Sequence, residues 1–404
     1  MSTTDTISTS IPYGGSAEPV REVPPSFLDL KAQYANIREE VAEAVARVLE
    51  SQHFILGPEV QSLESEVASF VGARAAVGCA SGSDALYLSL MASGIGAGDE
   101  VVTTPFTFVA TAGSIARTGA KPVFADIDAE TFNIDPSQIE RVLSPRTKAI
   151  MPVHLFGLPA DMDSIMRIAR EHHLIVIEDA AQAIGARYRG EFVGTIGDYG
   201  CFSFFPSKNL GGAGDGGLVT ASDPEKADRL RLLRAHGSRK KYSYEILGTN
   251  SRLDALQAAI LRVKLKHLAE WTEQRRANAR RYTELFCDFG LVNHIQWPQE
   301  IVGRYHVYNQ FTIRAKNREA LRKHLSAAKI PTDVYYPSPL HVQPAFADLG
   351  YHAGDFPNSE AASAEVLALP VYAELSAAAQ TSVAEAISEF YRHGNNSQGS
   401  KENE

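Results

Sequence analysis

Between residues 75 and 222 the chain carries seven short apolar segments, each closed off by Gly, Pro or Asp: AAVGC, EVVTTP, PVFADI, AIMPVHLF, LIVIED, GCFSFF and GGLVTA. They are close to continuously apolar, not alternating, which is the pattern of strands covered on both faces. Several of the stretches between them (84–93, 109–118 and 161–172) have helical character. Strands that alternate with helices are joined by crossovers, so the expected fold class is α/β: a large, mostly parallel, seven-stranded sheet with helices on its faces.

The flanks read differently. Ile37, Val41, Val45 and Val48 recur at helical spacing, as do Leu63, Val67 and Phe70, and the breakers Gly57 and Pro58 separate the two helices. Residues 254–286 keep apolar positions at helical spacing throughout, which predicts one long helix bridging two domains. A strand at 305–314, a helix at 318–329, an extended Pro-rich segment at 331–344 and a closing helix near 376–392 suggest a smaller α+β domain. The expected organisation is a flexible tail (1–24), a large domain (25–270), a small C-terminal domain (271–393) and a polar, disordered tail (394–404).

Composition narrows the function classes. With 39 Lys+Arg against 48 Asp+Glu the net charge is −9, a poor balance for a surface that coats nucleic acid. No stretch approaches the ~20 apolar residues that span a bilayer. The N-terminal segment has no basic head followed by an apolar block, so no secretory signal is read there and a cytoplasmic protein is expected. Cys79, Cys201 and Cys287 are widely spaced and form no CxxC, which supports neither a disulfide framework nor a zinc site. His172 and His173 are adjacent and cannot share a helix face, and HExxH is absent, so no metal is expected.

Four segments carry chemistry. Lys208 follows the apolar GCFSFF segment and is walled by Phe202, Phe204 and Phe205; desolvation there would turn an ammonium into an amine nucleophile, although lysines near strand ends are usually solvated. Asp179 ends the apolar run LIVIED, where it is either a helix cap or the buried partner of a protonated heterocyclic nitrogen. The turn GCASGSDAL (78–86) offers backbone N–H groups and the hydroxyls of Ser81 and Ser83 as a phosphate cradle, or simply serves turn geometry. Phe108, at a strand-to-helix junction, either stacks on a planar ring or belongs to the core. A Schiff-base lysine, a pyridinium partner, a phosphate site and a ring stacker together are what pyridoxal 5′-phosphate asks of a protein.

At this point the chain resembles the sugar aminotransferases of the DegT/DnrJ/EryC1/StrS family, pyridoxal phosphate-dependent transferases of fold type I. The resemblance covers residues 27–392 and rests on blocks such as GDEVVTTPFTFVATA, FADIDAETFNID, IEDAAQAIGA, SFFPSKNLGGAGDGG and GTNSRLDALQAAIL. It implies that Lys208 holds the cofactor covalently and later moves a proton. It implies further that Asp179 pairs with the ring nitrogen, Gln182 touches the phenolic oxygen and Phe108 covers the ring. Ser203 with Gly82 and Ser83 would bind the phosphate, and Asn250 would reach the phosphate in the neighbouring subunit, making a homodimer with shared sites obligatory. Lysine rather than histidine at 208 favours transamination over sugar dehydration.

The implied donor is L-glutamate and the implied acceptor a nucleotide-linked keto-deoxysugar, in ping-pong order. The blocks SRLDALQ (251–257) and GDGG (214–217) look more like members acting at C-3 of the hexose than at C-4. The basic cluster Arg229, Arg231, Arg234, His236, Arg239, Lys240 and Lys241 is either a diphosphate clamp or a solvated helix face and loop. Tyr335 and His341 either line the sugar pocket or pack. Competing readings are a keto-cyclitol aminotransferase, a non-catalytic regulator on the same fold, and a nicotinamide dehydrogenase, which lacks its Gly-rich fingerprint here.

Overall fold

In the computed structural model residues 25–398 are described; the expected tail 1–24 and residues 399–404 lie outside them. The chain opens with α1 (Leu30–Ser51), capped by the Asp29 carboxylate, which accepts from the Lys31 and Ala32 amides. Gln52 in the left-handed region ends it, and after a turn through Gly57, also at positive φ, Pro58 opens α2 (Pro58–Val71). Proline suits that first helical position because its missing N–H would have had no partner there.

The sheet segments then follow in order. They are β1 (Ala75–Cys79), α3 (Gly82–Ala92), β2 (Glu100–Thr103), α4 (Val109–Arg117), β3 (Lys121–Phe124), α5 (Pro136–Val142) and β4 (Thr147–Ile150). Next come α6 (Met162–His172), β5 (Ile175–Asp179), the short hairpin β6 (Arg187–Tyr188) and β7 (Glu191–Phe192), β8 (Tyr199–Ser203), β9 (Gly217–Ala221) and α7 (Pro224–Leu233). The seven longer strands form one sheet in the order β1-β9-β8-β5-β4-β2-β3. Only β9 runs against its neighbours; the pairings β8–β5, β5–β4, β4–β2 and β2–β3 are all parallel. The expected mostly parallel, seven-stranded sheet is therefore present.

This topology positions the site. Because all strands but β9 point the same way, the chain leaves β1, β2, β5 and β8 on one rim, and β9 enters from that rim. Open α/β sheets bind ligands at that carboxyl-end rim. Two apolar layers cover the sheet, one around Leu63, Val67, Ile165, Phe202 and Leu261, the other around Leu86, Leu90, Ile115, Ile177 and Leu230.

Beyond α7 come the hairpin β10 (Ser238–Lys240) and β11 (Ser243–Tyr244), then α8 (Ala255–Leu265) and α9 (Leu268–Asp288). The single bridging helix expected over 254–286 is thus two. Lys266 and His267 donate to Val263 and Lys264, three residues back, tightening the chain before α9 restarts. Both residues keep right-handed helical angles and neither is Gly or Pro, so helical spacing runs unbroken across the joint.

The last third contains β12 (Ile295–Gln296), β13 (Arg304–Tyr305), β14 (Phe311–Ala315), α10 (Arg318–Ala327), α11 (Pro357–Glu365), β15 (Val366–Leu369) and α12 (Ala377–Gln398), which reaches into the expected 394–404 tail. The expected strand 305–314 divides between two sheets. β13 pairs with β6, while β14 lies between β12 and β15 in an antiparallel sheet. The residues between them are held instead by the 156–157 turn: Val307 N–H donates to the Gly157 carbonyl (3.1 Å) and Asn309 N–H to that of Phe156 (2.9 Å). The expected extended segment 331–344 is broken by a short 3-10 turn at Leu340–Val342. A third core, with Tyr282, Phe286, Phe311, Leu321, Leu367 and Ile387, joins this sheet to α9, α10 and α12.

Candidate active site

The rim residues build the site. β5 ends on Asp179, which is 5% exposed. Its Oδ2 accepts from the Thr111 hydroxyl (2.8 Å) and its Oδ1 from the Ala181 amide (3.2 Å). Burial pushes this carboxyl up, against the pull of Thr111, Ala181, Lys208 and His154. Thr111 stands on α4 and its hydroxyl also meets that of Thr107 at 2.9 Å. Neither threonine was singled out from the sequence; only the fold, which brings α4 against the end of β5 across the β5-β4-β2 strand order, reveals them.

β8 leads to Lys208. After Ser203 the chain turns, with Lys208 N–H donating to the Phe205 carbonyl, and the side chain is partly buried. Desolvation lowers its amine to about 8, with the nearby charge of Asp179 opposing the shift. An amine with that proton affinity can hold a proton or give it up near neutral pH.

Gln182, three residues beyond Asp179, is fixed by two bonds. Its Oε1 accepts from the Phe156 amide (2.6 Å), so its Nε2 is the donor, and one of its protons goes to the Tyr336 hydroxyl (3.1 Å). Tyr336 lies 6.3 Å, centroid to centroid, from Phe108, which caps α4 and is 56% exposed. Tyr336 was not singled out from the sequence; its bond to Gln182 adds it to the candidate site. Its neighbour Tyr335 is half-buried, 6.4 Å from the Phe27 ring, and lines a small cavity of about 80 Å³ with Ser207 and Arg275.

At the start of α3, Ser81 accepts from the Asp84 amide (3.1 Å). The first-turn amides of Gly82 and Ser83 have no intrahelical acceptor, and the helix dipole favours an anion there. Gly82 sits so close to β8 that a Cβ on it would stand 2.6 Å from Cβ of Ser203. Ser203 Oγ accepts from the Phe205 amide (3.3 Å), which leaves its own proton to give. Ser83 is exposed beside this turn.

Behind Asp179 lies a second buried network that sequence reading passed over. His154 Nδ1 accepts from the Ala160 amide (3.0 Å), which assigns the proton to Nε2, 2.9 Å from Glu178. Glu178 also accepts from the amides of Gly194, Ile196 and Gly197. It is wholly buried, and these bonds pin the loop that leads into β8.

The remaining sequence candidates stand apart. Asn250, Arg239 and Lys240 are exposed, and none makes a hydrogen bond or ion pair to Lys208, Asp179, Gln182 or Ser203; Arg239 faces Glu245 at 3.5 Å. The basic cluster does not hold together, because Arg234 is buried and bound to Glu64 and the Gly78 carbonyl, both at 2.5 Å. Arg231 is paired with Asp228. His341 is 1% exposed, bonded to Glu360 (3.0 Å) and packed edge-on against Phe356. Among the described residues no group of His, Cys, Asp and Glu could hold a metal ion, and no helix is long and apolar enough to cross a membrane.

Comparison with known proteins places the chain in a family. A relative from Geobacillus stearothermophilus, named a pleiotropic regulatory protein, is 52% identical over 91% of this chain and 98% of its own length. A UDP-N-acetyl-3-dehydro-alpha-D-glucosamine 3-aminotransferase from Acidithiobacillus ferrooxidans is 47% identical over 86% of this chain and 93% of its own. The crystal structure of Streptomyces venezuelae DesV, in complex with a ketimine intermediate, superposes with a TM-score of 0.88 at 44% identity, covering 91% of this chain and 98% of that one. Residues 35–388 match the family's sequence model. The chain belongs to the DegT/DnrJ/EryC1/StrS aminotransferase family and is a pyridoxal phosphate-dependent aminotransferase.

Proposed function

We propose that this enzyme moves an amino group from L-glutamate to a nucleotide-linked keto-deoxysugar, at C-3 of the hexose in preference to C-4. It does so in ping-pong order, in a cytoplasmic homodimer with shared sites. The observation that carries the proposal is the meeting of Lys208, Asp179, Gln182 and the Gly82–Ser203 cradle on one rim. The name of the Acidithiobacillus relative, a 3-aminotransferase of a 3-dehydro UDP-sugar, supports the sugar and the carbon. We take the sheet unit (25–270) and the unit built on the third core (271–393) as the two domains.

The residues fit the cofactor. The lack of a side chain on Gly82 lets the free first-turn amides of α3 lie close against Ser203, a donor set that suits a phosphate, and Asp179 is a buried acid whose Oδ1 has just one long amide bond. When bound, pyridoxal phosphate supplies an aldehyde for the amine and a ring that takes up the electrons of a broken Cα–H bond. In our reading Lys208 would hold the coenzyme covalently, and its amine, lowered to about 8, would take up and return the substrate's proton as general base and acid. Asp179, through Oδ1, would favour a protonated ring nitrogen. The second Nε2 proton of Gln182 would be free for the phenolic oxygen, since its first is given to Tyr336. Ser203 and the Gly82 and Ser83 amides would hold the phosphate, and Phe108 and Tyr336 would shield the ring from water.

Substrate-binding roles go to Tyr335 and, from the exposed 238–250 excursion, to Arg239 and Lys240 toward the diphosphate, with Asn250 serving the partner's phosphate site. His341 supports the pocket wall through Phe356, without direct contact. The test is to incubate the holoenzyme with glutamate and a panel of 3-keto and 4-keto dTDP-, UDP- and GDP-sugars and detect amino products by mass. Amination of 3-keto sugars is expected; amination of none would overturn the proposal.

A further inference from the structure

Asp179 is served by more than the coenzyme. We propose that Thr107 and Thr111 form a two-hydroxyl relay that fixes the Asp179 carboxylate by its Oδ2 and reserves Oδ1 for the ring nitrogen. The inference rests on the reading of Asp179 as that nitrogen's partner. The two contacts are 2.9 Å between the threonine hydroxyls and 2.8 Å from Thr111 to Oδ2, and all three side chains are at most 5% exposed.

The direction of the relay follows from donor counting. An ionised carboxylate only accepts, so Thr111 must spend its one hydroxyl proton on Oδ2, and the proton between the two threonines must then come from Thr107. Both hydroxyl dipoles point at the acid, and each bond polarises the next among buried side chains. A proton on Oδ1 would leave Oδ2 an uncharged and weaker acceptor for Thr111, so the chain is strongest when Asp179 is ionised. The relay therefore favours the carboxylate over the acid at a position where burial favours the acid. It also fixes the carboxylate's rotation: with Oδ2 held, the oxygen left to the coenzyme is Oδ1, whose other bond is the longer one from the Ala181 amide. Both threonines flank Phe108, so the segment that would cover the ring also sets the acid beneath it. Lys208, His154, Tyr336 and Cys201 are the other titratable groups that interact with Asp179 among the described residues, and none hydrogen-bonds to its carboxylate oxygens. Thr111 and Thr107 are thus positioning residues that act through Asp179.

The test reads the ring nitrogen itself. Holoenzyme is prepared with ¹⁵N-labelled pyridoxal phosphate, and the nitrogen resonance is compared in wild type, Thr111→Val, Thr111→Ser, Thr107→Val and Asp179→Asn. Valine keeps the shape of threonine without the hydroxyl. We expect Thr111→Val to move the resonance toward the unprotonated position and to slow the glutamate half-reaction about tenfold, the effect of roughly one unit of altered proton affinity. Thr111→Ser should restore both, and Thr107→Val should give a smaller shift in the same direction. A wild-type resonance in both valine variants, with a shifted one in Asp179→Asn, overturns the relay and leaves the role of Asp179 standing. An unshifted Asp179→Asn overturns both. If Thr111→Val does not fold, Thr107→Val, one bond further out, decides the matter.

Discussion

In the proposed reading Lys208 has to be an amine when it reacts, and it sits in a chain whose other described lysines are mostly exposed. Partial burial makes the difference, lowering it from the ordinary 10.5 to about 8 while the Asp179 charge limits the drop. Two outcomes follow at this scale. Lys208→Ala should lose the visible absorbance of covalently held coenzyme and show negligible transamination, because no other amine in the described residues is placed beside Asp179; normal turnover would remove Lys208 from the mechanism. The second outcome concerns stability. Between about pH 8 and 10.5 the unfolded chain holds a proton on this lysine that the folded chain lacks, so stability rises with pH across that window. Below it, the fold carries the full cost of a partly buried ammonium. Coenzyme-free Lys208→Met should therefore be more stable than wild type at pH 7, by a margin that shrinks toward pH 10.5. Urea midpoints at pH 7 and 10 measure this, and a margin that widened with pH would contradict the assigned shift.

At the scale of elements, the proposed phosphate cradle depends on how tightly α3, β8 and β9 approach at the rim. Gly217 opens β9 opposite both Cys79 and Ser203, and a Cβ on it would lie 2.3 Å from the Ser81 carbonyl carbon. That neighbour is backbone at the entry to α3 and cannot swing aside. Gly217→Ala should cost about 1–3 kcal/mol of stability and loosen coenzyme binding, since overpacking here displaces the helix start. Gly113, inside α4, is the contrast: an added Cβ meets nothing within 4 Å. Gly113→Ala should stabilise by about 0.5–1 kcal/mol through helix propensity alone. Urea melts and coenzyme titration of both variants check the pair, and equal effects would show that the rim is not close-packed.

The same contrast explains what the sequence disclosed. Each strand of the large sheet is buried on both faces, so its apolar run is visible without any partner, and Asp179 and Lys208 stand out because polarity returns at the rim. The Thr107–Thr111–Asp179 chain and the Gln182–Tyr336 bond join residues 68 and 154 positions apart. They exist only after the sheet has set its strand order. The joint at Lys266–His267 was hidden for a different reason: helical periodicity persists through a 3-10 turn that needs neither Gly nor Pro.

For the whole molecule, the question is what completes the site. In the proposed reading one chain supplies the anchor, the acid, the ring oxygen's donor and the cradle, while Asn250, Arg239 and Lys240 are exposed on an excursion that also exposes Tyr242, Tyr244 and Leu247. Three large apolar side chains in so short a segment are costly to leave in water and are accounted for if a second copy covers them. An isologous dimer would carry each excursion to its partner's rim, and the reciprocal arrangement would follow from the two-fold symmetry. The geometry then makes a quantitative demand. Lys208→Ala and Asn250→Ala each damage both sites of their own homodimer, but a mixed dimer has one site with both changes and one with neither. Equal amounts of the two variants, unfolded and refolded together, should regain about a quarter of wild-type activity, because half the dimers are mixed and each has one intact site. Mixing without subunit exchange should regain none. If co-refolded mixtures stay at the level of the separate variants, Asn250 serves its own chain or no site at all, and the shared-site dimer fails with it.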